Sequence, residues 1–293
     1  MQLTLNRNFS SAFAAERLGD TDELADFIRQ HPKLFVLTGA GISCASGIPA
    51  YRDEVGTWRS RTPIHHAEFM REASVRQRYW ARSYVGWPMV NRARPNAAHS
   101  ALVRLEEMGY IETLVTQNID RLHQQAGQRR VIDLHGRLDQ VVCLDCGALS
   151  AREQIQHWLA EHNPHLQNQE AGMAPDGDAE VDNGVVSQVQ VPRCSRCDGM
   201  LQPNVVFYGS SVRKQTVDYL CDRLLSADAV LVIGSSLMVY SSFRFCKLAA
   251  ERNQAIACIN RGLTRGDDLY SLKLQQDCER VLSVLAATLP QRA

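Results

Sequence analysis

Short apolar runs alternate with amphipathic stretches along most of this chain. Leu34 to Leu37 is an apolar run closed by Thr38-Gly39, which predicts a buried strand entering a loop. Ile111–Thr116, Val131–Leu134, Val205–Phe207, Ala229–Ile233 and Ala255–Ile259 repeat the pattern and are read as further strands. Helical periodicity fills the intervals: Thr21–Gln30, with Asp20 or Thr21 as N-cap and Pro32 just beyond, then His99–Met108, Asp120–Ala126, Lys214–Leu225, Ser242–Arg252 and Glu279–Leu289. Apolar strands alternating with amphipathic helices predict a parallel, helix-covered sheet. Two stretches break the rhythm. Residues 50–95 are rich in Arg and aromatics (Tyr51, Trp58, Phe69, Tyr79, Trp80, Tyr84, Trp87) and are read as an insertion of short helices and loops. The region between Val141 and Pro203 holds a polar segment, Ala171–Gly184, read as loop.

A chain of 293 residues buries roughly three quarters of its unfolded surface, so a full core needs no disulfide staples. Hydrophobic residues at 45% and charged residues at 22% exclude a mostly disordered chain, a collagen and a coiled coil. Lys+Arg and Asp+Glu balance at 32 each, so the basic excess expected of a protein living on nucleic-acid backbone is missing. No apolar run approaches the ~18 residues of a membrane span. The N-terminus lacks the charged start, apolar block and cleavage site of a secretory signal, and the expected compartment is the cytoplasm.

Of nine cysteines, four form two tight pairs, Cys143/Cys146 and Cys194/Cys197. Each C-x-x-C presents two thiolates on one turn, the arrangement tetrahedral Zn²⁺ requires, and Gly147 and Gly199 follow closely. Four thiolates fill the coordination sphere, so one structural zinc is expected.

Polar strand ends carry the remaining chemistry. Thr38-Gly39-Ala40-Gly41-Ile42-Ser43 follows the first strand directly, where glycines let backbone N–H groups approach phosphates. The spacing departs from G-x-G-x-x-G, and no second strand ending in an acidic residue follows, which disfavours a hydride-transferring dehydrogenase. Thr116-Gln117-Asn118-Ile119-Asp120, Leu134-His135-Gly136, Gly234-Ser235-Ser236 and Asn260-Arg261-Gly262 end four other strands. Taken alone, the segment at 116–120 is equally a helix cap, His135 reads as a packing residue, and the other two strand ends read as turns. On one sheet edge they form an extended nucleotide groove.

The segments GAGISCASGIPAYRD, TQNIDRLH, the His-Gly at 135, the two C-x-x-C pairs, PNVVFYG and GSSLMVYSS stand in the order seen in sirtuins, the NAD-dependent protein-lysine deacylases. The resemblance spans roughly residues 30–285. RQRYWARSYVGWP (76–88), APDGD (174–178) and the LKL run at 272–274 look like the class II branch, which holds a mitochondrial animal sirtuin and bacterial relatives.

The resemblance implies an α/β fold: a Rossmann-like parallel-sheet domain (1–60, 96–140 and 203–293) and a smaller domain made of a helical insertion (61–95) and a zinc-binding module (141–202). NAD and acyl-lysine would meet between them. The loop from Gly39 to Arg59 would wrap NAD, with Ala40, Gly41 and Ile42 along the pyrophosphate, Tyr51 and Arg52 flanking the nicotinamide ribose, and Ser43, Pro49 and Arg59 also among the NAD-binding residues. Gln117, Asn118, Ile119 and Asp120 would hold ribose and carboxamide, Asn118 and Asp120 with catalytic roles. Gly234, Ser235, Ser236, Asn260, Arg261, Gly262 and Cys278 would border the adenosine end. His135 would be the catalytic base, taking a proton from a ribose hydroxyl that then attacks the acyl carbon. Products would be nicotinamide, free lysine and O-acyl-ADP-ribose. The partner is an acyl-lysine protein or peptide, entering as an extended strand beside Val205–Tyr208 or Met238–Tyr240. Mono-ADP-ribosyl transfer to protein uses the same NAD site and is the alternative. Ala50 and the Cys44-Ala45 pair depart from the family pattern without removing a group of assigned role. Tyr79 and Arg82 are spaced Y-x-x-R, as in the branch that reads acidic acyl chains; the competing reading makes both structural.

Overall fold

The computed structural model describes residues 20–51, 53, 57, 63–167, 181 and 183–292. In chain order its elements are α1 (Thr21–Gln30), β1 (Leu34–Thr38), α2 (His66–Arg71), α3 (Ala73–Arg92), α4 (Ala97–Glu107), β2 (Ile111–Thr116), α5 (Leu122–Ala126), β3 (Val131–Asp133), β4 (Gly136–Cys143) and β5 (Leu149–Ala151). Then follow α6 (Arg152–His162), α7 (Asn183–Val186), β6 (Leu201–Val205), α8 (Lys214–Leu225), β7 (Ala229–Ile233), α9 (Tyr240–Glu251), β8 (Ala255–Ile259), β9 (Leu272–Leu274) and α10 (Cys278–Thr288). A 3₁₀ turn, Ala40–Ser46, follows β1.

Six strands pair in the order β3-β2-β1-β7-β8-β9, all parallel. Side-chain alternation sends Leu34 and Val36 to one face, against α1, α4 and α10. Phe35 and Leu37 go to the other face, against α8 and α9. Both faces are covered, so every residue of β1 and β7 is buried. Counted within this sheet alone, the order is that of a doubly wound dinucleotide-binding fold. Asp20 closes a capping box with Glu23 at the start of α1, settling the N-cap in its favour.

A second sheet, β5-β4-β6, is antiparallel. It corrects the reading of Val205–Phe207 as a strand of the main sheet: β6 ends at Val205 and pairs with β4. Tyr208 forms an isolated bridge to His65. Residues 50–95 also differ from the expected short helices, because Ala73–Arg92 is one helix of 20 residues. Pro88 lies inside it. A proline has no N–H to give the carbonyl four residues earlier, and Gln156 of α6 supplies the missing donor, its Nε2 lying 2.9 Å from the Tyr84 carbonyl. Arg152, fully buried, bonds the Ser83 carbonyl at 3.0 Å and its hydroxyl at 3.1 Å. Its guanidinium also lies 5.8 Å from the Trp80 ring and 5.2 Å from that of Trp87. Phe69, Tyr79 and Trp80 share one core with Val141, Ile155, Leu159 and Leu201, so insertion and cysteine module bury each other. Among the described residues, no helix is long and apolar enough to cross a membrane.

Gln156→Leu will lower the unfolding free energy by about 1–3 kcal/mol, the cost of a stranded buried carbonyl. In a Pro88→Ala background the same change will cost clearly less, because the alanine restores a backbone N–H that can donate to the Tyr84 carbonyl within α3. Urea titration of the four proteins checks the difference.

Candidate active site

Strand order reverses between β1 and β7, which opens a crevice beyond their carboxyl ends. Two loops meet there at close range. The Gly41 N–H donates to the Gly234 carbonyl at 2.8 Å. A Cβ on Gly41 would stand 2.8 Å from Gly234 Cα, and one on Gly39 would stand 2.8 Å from the Gly234 carbonyl oxygen. Gly234 itself has φ +58°, a left-handed backbone. These glycines are therefore demanded by the loop crossing, in addition to any phosphate.

The crossing floors a cavity of about 530 Å³. One end is walled by Gly234–Ser236, Asn260–Gly262 and Cys278; the other by Tyr79, Leu138 and Phe207. Gly39, Ala40, Gly41, Tyr51, Gln117, Asn118, Ile119 and His135 line the stretch between. Ile42, Ser43, Pro49 and Asp120 stand outside the lining. Ile42 belongs to the core below. Arg52 and Arg59 lie outside the described residues. Arg82 is half-buried and absent from the wall that Tyr79 forms.

Asp120 shapes the wall from behind. The Ser43 hydroxyl donates to its Oδ2 at 2.8 Å, and the Leu122 N–H to its Oδ1 at 2.9 Å, which starts α5. Asn118 Nδ2 in turn donates to Ser43 Oγ at 3.0 Å and to the Gly39 carbonyl at 3.2 Å. With both amide hydrogens engaged, the Asn118 carbonyl oxygen is left to a ligand. Burial raises the Asp120 pKa, against the hydrogen bonds from Leu122 and Ser43. Gln117 Nε2 bridges to Ser235 Oγ at 2.8 Å and to the Thr38 carbonyl at 3.3 Å, tying three strand ends together.

His135 sits where the chain leaves β3 and begins β4. Its Nδ1 is 3.0 Å from the Gln117 carbonyl, which can only accept, so Nδ1 carries the proton. Burial lowers the ring's pKa, partly opposed by that hydrogen bond, so the imidazole is neutral at pH 7. Its Nε2 is 2.7 Å from Ser241 Oγ. Ser241 and Arg244, both on α9, line the cavity and had no role in the sequence reading. Ser241 stands within the GSSLMVYSS segment, and Arg244 two residues beyond it.

The loop is latched from below. Asn96 Nδ2 donates to the Ile42 carbonyl at 2.8 Å and to Ser46 Oγ at 3.0 Å. Asn96 is held in turn by His99, its Oδ1 3.0 Å from Nδ1. The His99 ring packs 4.8 Å from that of His123, whose Nε2 meets Thr38 Oγ1 at 3.0 Å. Burial pushes His99 down to about 4. It pushes His123 well below the ordinary value, with the neighbouring His99 adding to the shift.

In the small sheet, Sγ of Cys143 is 3.5 Å from that of Cys197, and Cys146 is 3.8 Å from Cys194. All four sulfurs lie within 4.8 Å of one another. Zinc–sulfur bonds of ~2.3 Å in a tetrahedron separate sulfurs by ~3.8 Å, so the four thiols fit a structural Zn²⁺.

A doubly wound sheet with a polar crevice at its switch point, plus a four-cysteine module, defines a nucleotide-dependent enzyme with a metal-stabilised small lobe. The Sir2 family model matches residues 39–241. "NAD-dependent protein deacetylase 2" of Bradyrhizobium diazoefficiens is 51% identical over 262 residues, covering 89% of this chain and 96% of the relative. "NAD-dependent protein lipoamidase sirtuin-4, mitochondrial" of Bos taurus is 47% identical over 266 residues, covering 90% and 84%. The solved complex "Sir2-p53 peptide-NAD+" superposes with a TM-score of 0.72 at 28% identity, covering 92% of this chain and 98% of that one. The chain belongs to the Sir2 family.

Two outcomes are expected. The purified protein will carry one Zn²⁺ per chain by elemental analysis, and chelation or Cys194→Ser will lower Tm by more than about 5 °C, since the metal ties β4 to the turn before β6. The second concerns acid. The folded pKa of His99 lies below its unfolded value of about 6.5, so its contribution is complete above that pH and lost as pH falls towards 4. The loss is about 3 kcal/mol. Between pH 7 and 4 the unfolding free energy of the wild type will therefore drop more steeply than that of His99→Gln, as read by denaturant titration at each pH.

Proposed function

We propose that this chain is an NAD-dependent protein-lysine deacetylase whose products are nicotinamide, free lysine and O-acetyl-ADP-ribose. The observation that carries the reading is His135: a neutral imidazole in the cavity wall, with its proton fixed on Nδ1 and its acceptor nitrogen at the hydroxyl of Ser241, which lines the same cavity. The cavity fits NAD as a co-substrate, because its glycine crossing leaves room only for backbone and its far end offers Ser235, Asn260 and Arg261 for hydroxyls and phosphate. When bound, NAD supplies an anomeric carbon from which nicotinamide departs and to which the acyl oxygen adds.

The side chains have separable tasks. Asn118 presents its carbonyl oxygen to the nicotinamide end, and Asp120 orients it through Ser43. Gln117 and Ser235 fix the floor. His135 takes a proton from a ribose hydroxyl at Nε2 and keeps its Nδ1 proton on the Gln117 carbonyl. The freed oxygen attacks the acyl carbon. Acetyl-lysine peptide enters between Val205–Tyr208 and Met238–Tyr240, which face the same cavity, as an added extended strand.

The same reading keeps the division into a nucleotide lobe (1–60, 96–140, 203–293) and a small lobe (61–95, 141–202), supported by the core that Trp80 shares with Val141 and Ile155. It assigns the chain to the class II branch, supported by the likeness to the bovine lipoamidase. It places the protein in the cytoplasm, supported by four cysteines gathered as a metal-type cluster, the cysteine usage of a reducing compartment.

Mass spectrometry of the reaction with NAD and an acetylated peptide tests it. O-acetyl-ADP-ribose and free lysine are expected; ADP-ribosylated protein in their place makes the chain a transferase, and unchanged NAD overturns the reading. His135→Ala is expected to lose at least about 100-fold in deacetylation while circular dichroism and zinc content stay as in the wild type.

A further inference from the structure

We propose that Ser241 is a proton relay between the ligand hydroxyl and His135. The proposal deepens the deacetylase reading and rests on His135 being its base. Three observations carry it. Nδ1 of His135 faces a carbonyl, so it holds the proton and Nε2 can only accept. The 2.7 Å contact at Nε2 is therefore a hydrogen bond donated by the Ser241 hydroxyl. Both side chains line the cavity, so the hydroxyl has one side on the base and the other towards the ligand space.

The single lone pair of Nε2 is thus already occupied. A ligand hydroxyl reaches the base directly only by displacing Ser241, at the cost of a short hydrogen bond. A serine hydroxyl, however, accepts while it donates. In the relay, the ligand O–H proton passes to Ser241 Oγ as the Oγ–H proton passes to Nε2. Ser241 ends neutral, His135 becomes an imidazolium still bonded to the Gln117 carbonyl, and the ligand oxygen keeps the electron pair with which it attacks the acyl carbon. Ser241 lies in the first turn of a helix of 12 residues, whose N-terminal end favours the partial negative charge that Oγ carries in transit. Val239 caps that turn: its carbonyl accepts from the backbone N–H groups of Ser242 and Phe243 at 3.3 and 3.2 Å and from Ser242 Oγ at 2.9 Å, which fixes the backbone on which Ser241 stands.

The experiment compares wild type, Ser241→Ala and Ser241→Thr as complete, zinc-loaded proteins. Without any ligand, the ¹⁵N resonances of His135 read the contact. Nδ1 is expected protonated in all three, with Nε2 hydrogen-bonded in wild type and Thr and shifted to the free-acceptor position in Ala. With NAD and acetylated peptide, two rates are measured: exchange of labelled nicotinamide into NAD, which precedes the base step, and formation of O-acetyl-ADP-ribose. Ser241→Ala is expected to lose roughly 100-fold in product formation and at least tenfold less in exchange, with Ser241→Thr within about fivefold of wild type. Product rates in H₂O/D₂O mixtures will curve for wild type, two protons moving together, and run straight for Ala. An Nε2 resonance unchanged in Ala overturns the proposal. So does product formation within threefold of wild type, or an equal loss in both rates. If the wild type forms no product at all, the deacetylase reading fails instead, and with it the relay, while the resonance still reports the Ser241–His135 bond.

Discussion

The crossing of the loops after β1 and β7 is the constraint on which the site depends. Two strands about 4.8 Å apart must release their chains at the same edge, and here both chains turn inward until Gly41 bonds the Gly234 carbonyl. At that distance neither side tolerates a Cβ. The crossing fixes where the Gly39 carbonyl and Ser43 stand, and those are the partners of Asn118. It also fixes Ser235, the partner of Gln117. The polar groups of the cavity wall are thus held by bonds to one another before any ligand arrives, which is what preorganisation requires.

That wiring explains what was legible in the sequence. Strands β1, β7 and β8 could be read because each is an apolar run buried on both faces, as Leu34–Leu37 is. The polar residues that end them could be read as a groove because a parallel sheet puts all carboxyl ends on one edge. The bonds among them could not. Ser43 meets Asp120 across 77 residues, Asn96 reaches Ile42 across 54, and Ser241 reaches His135 across 106. No local spacing encodes such pairs.

The elements that escaped have physical reasons too. Helix α3 shows no apolar stripe because it is packed on several sides: Trp80 faces the zinc module, Trp87 and Val90 face Leu122 and Leu138, and Ala81 faces Leu166. Pro88 hides it further, and only a donor from α6, distant in sequence, makes the helix continuous. Strand β4 escaped because its pairing with β6 slips between Gly136 and Val141, which breaks the period of two. β9 has three residues, too few to show any period.

The same β4 links the metal to the chemistry. It begins at Gly136, directly after the base, and ends at Cys143, one of the four thiols that fit zinc. Its partner β6 runs from Leu201 to Val205, and the next residue, Val206, donates its N–H to the His135 carbonyl at 2.8 Å. The base is therefore held from two sides: the Gln117 carbonyl from the large sheet and the Val206 N–H from the small one. A four-thiolate site has no open position for catalysis. What it can do is hold the far end of the β4–β6 ribbon, part of a sheet of only three strands. The near end of that ribbon sets the backbone of His135, so a metal remote from the ligand bears on where the proton acceptor stands.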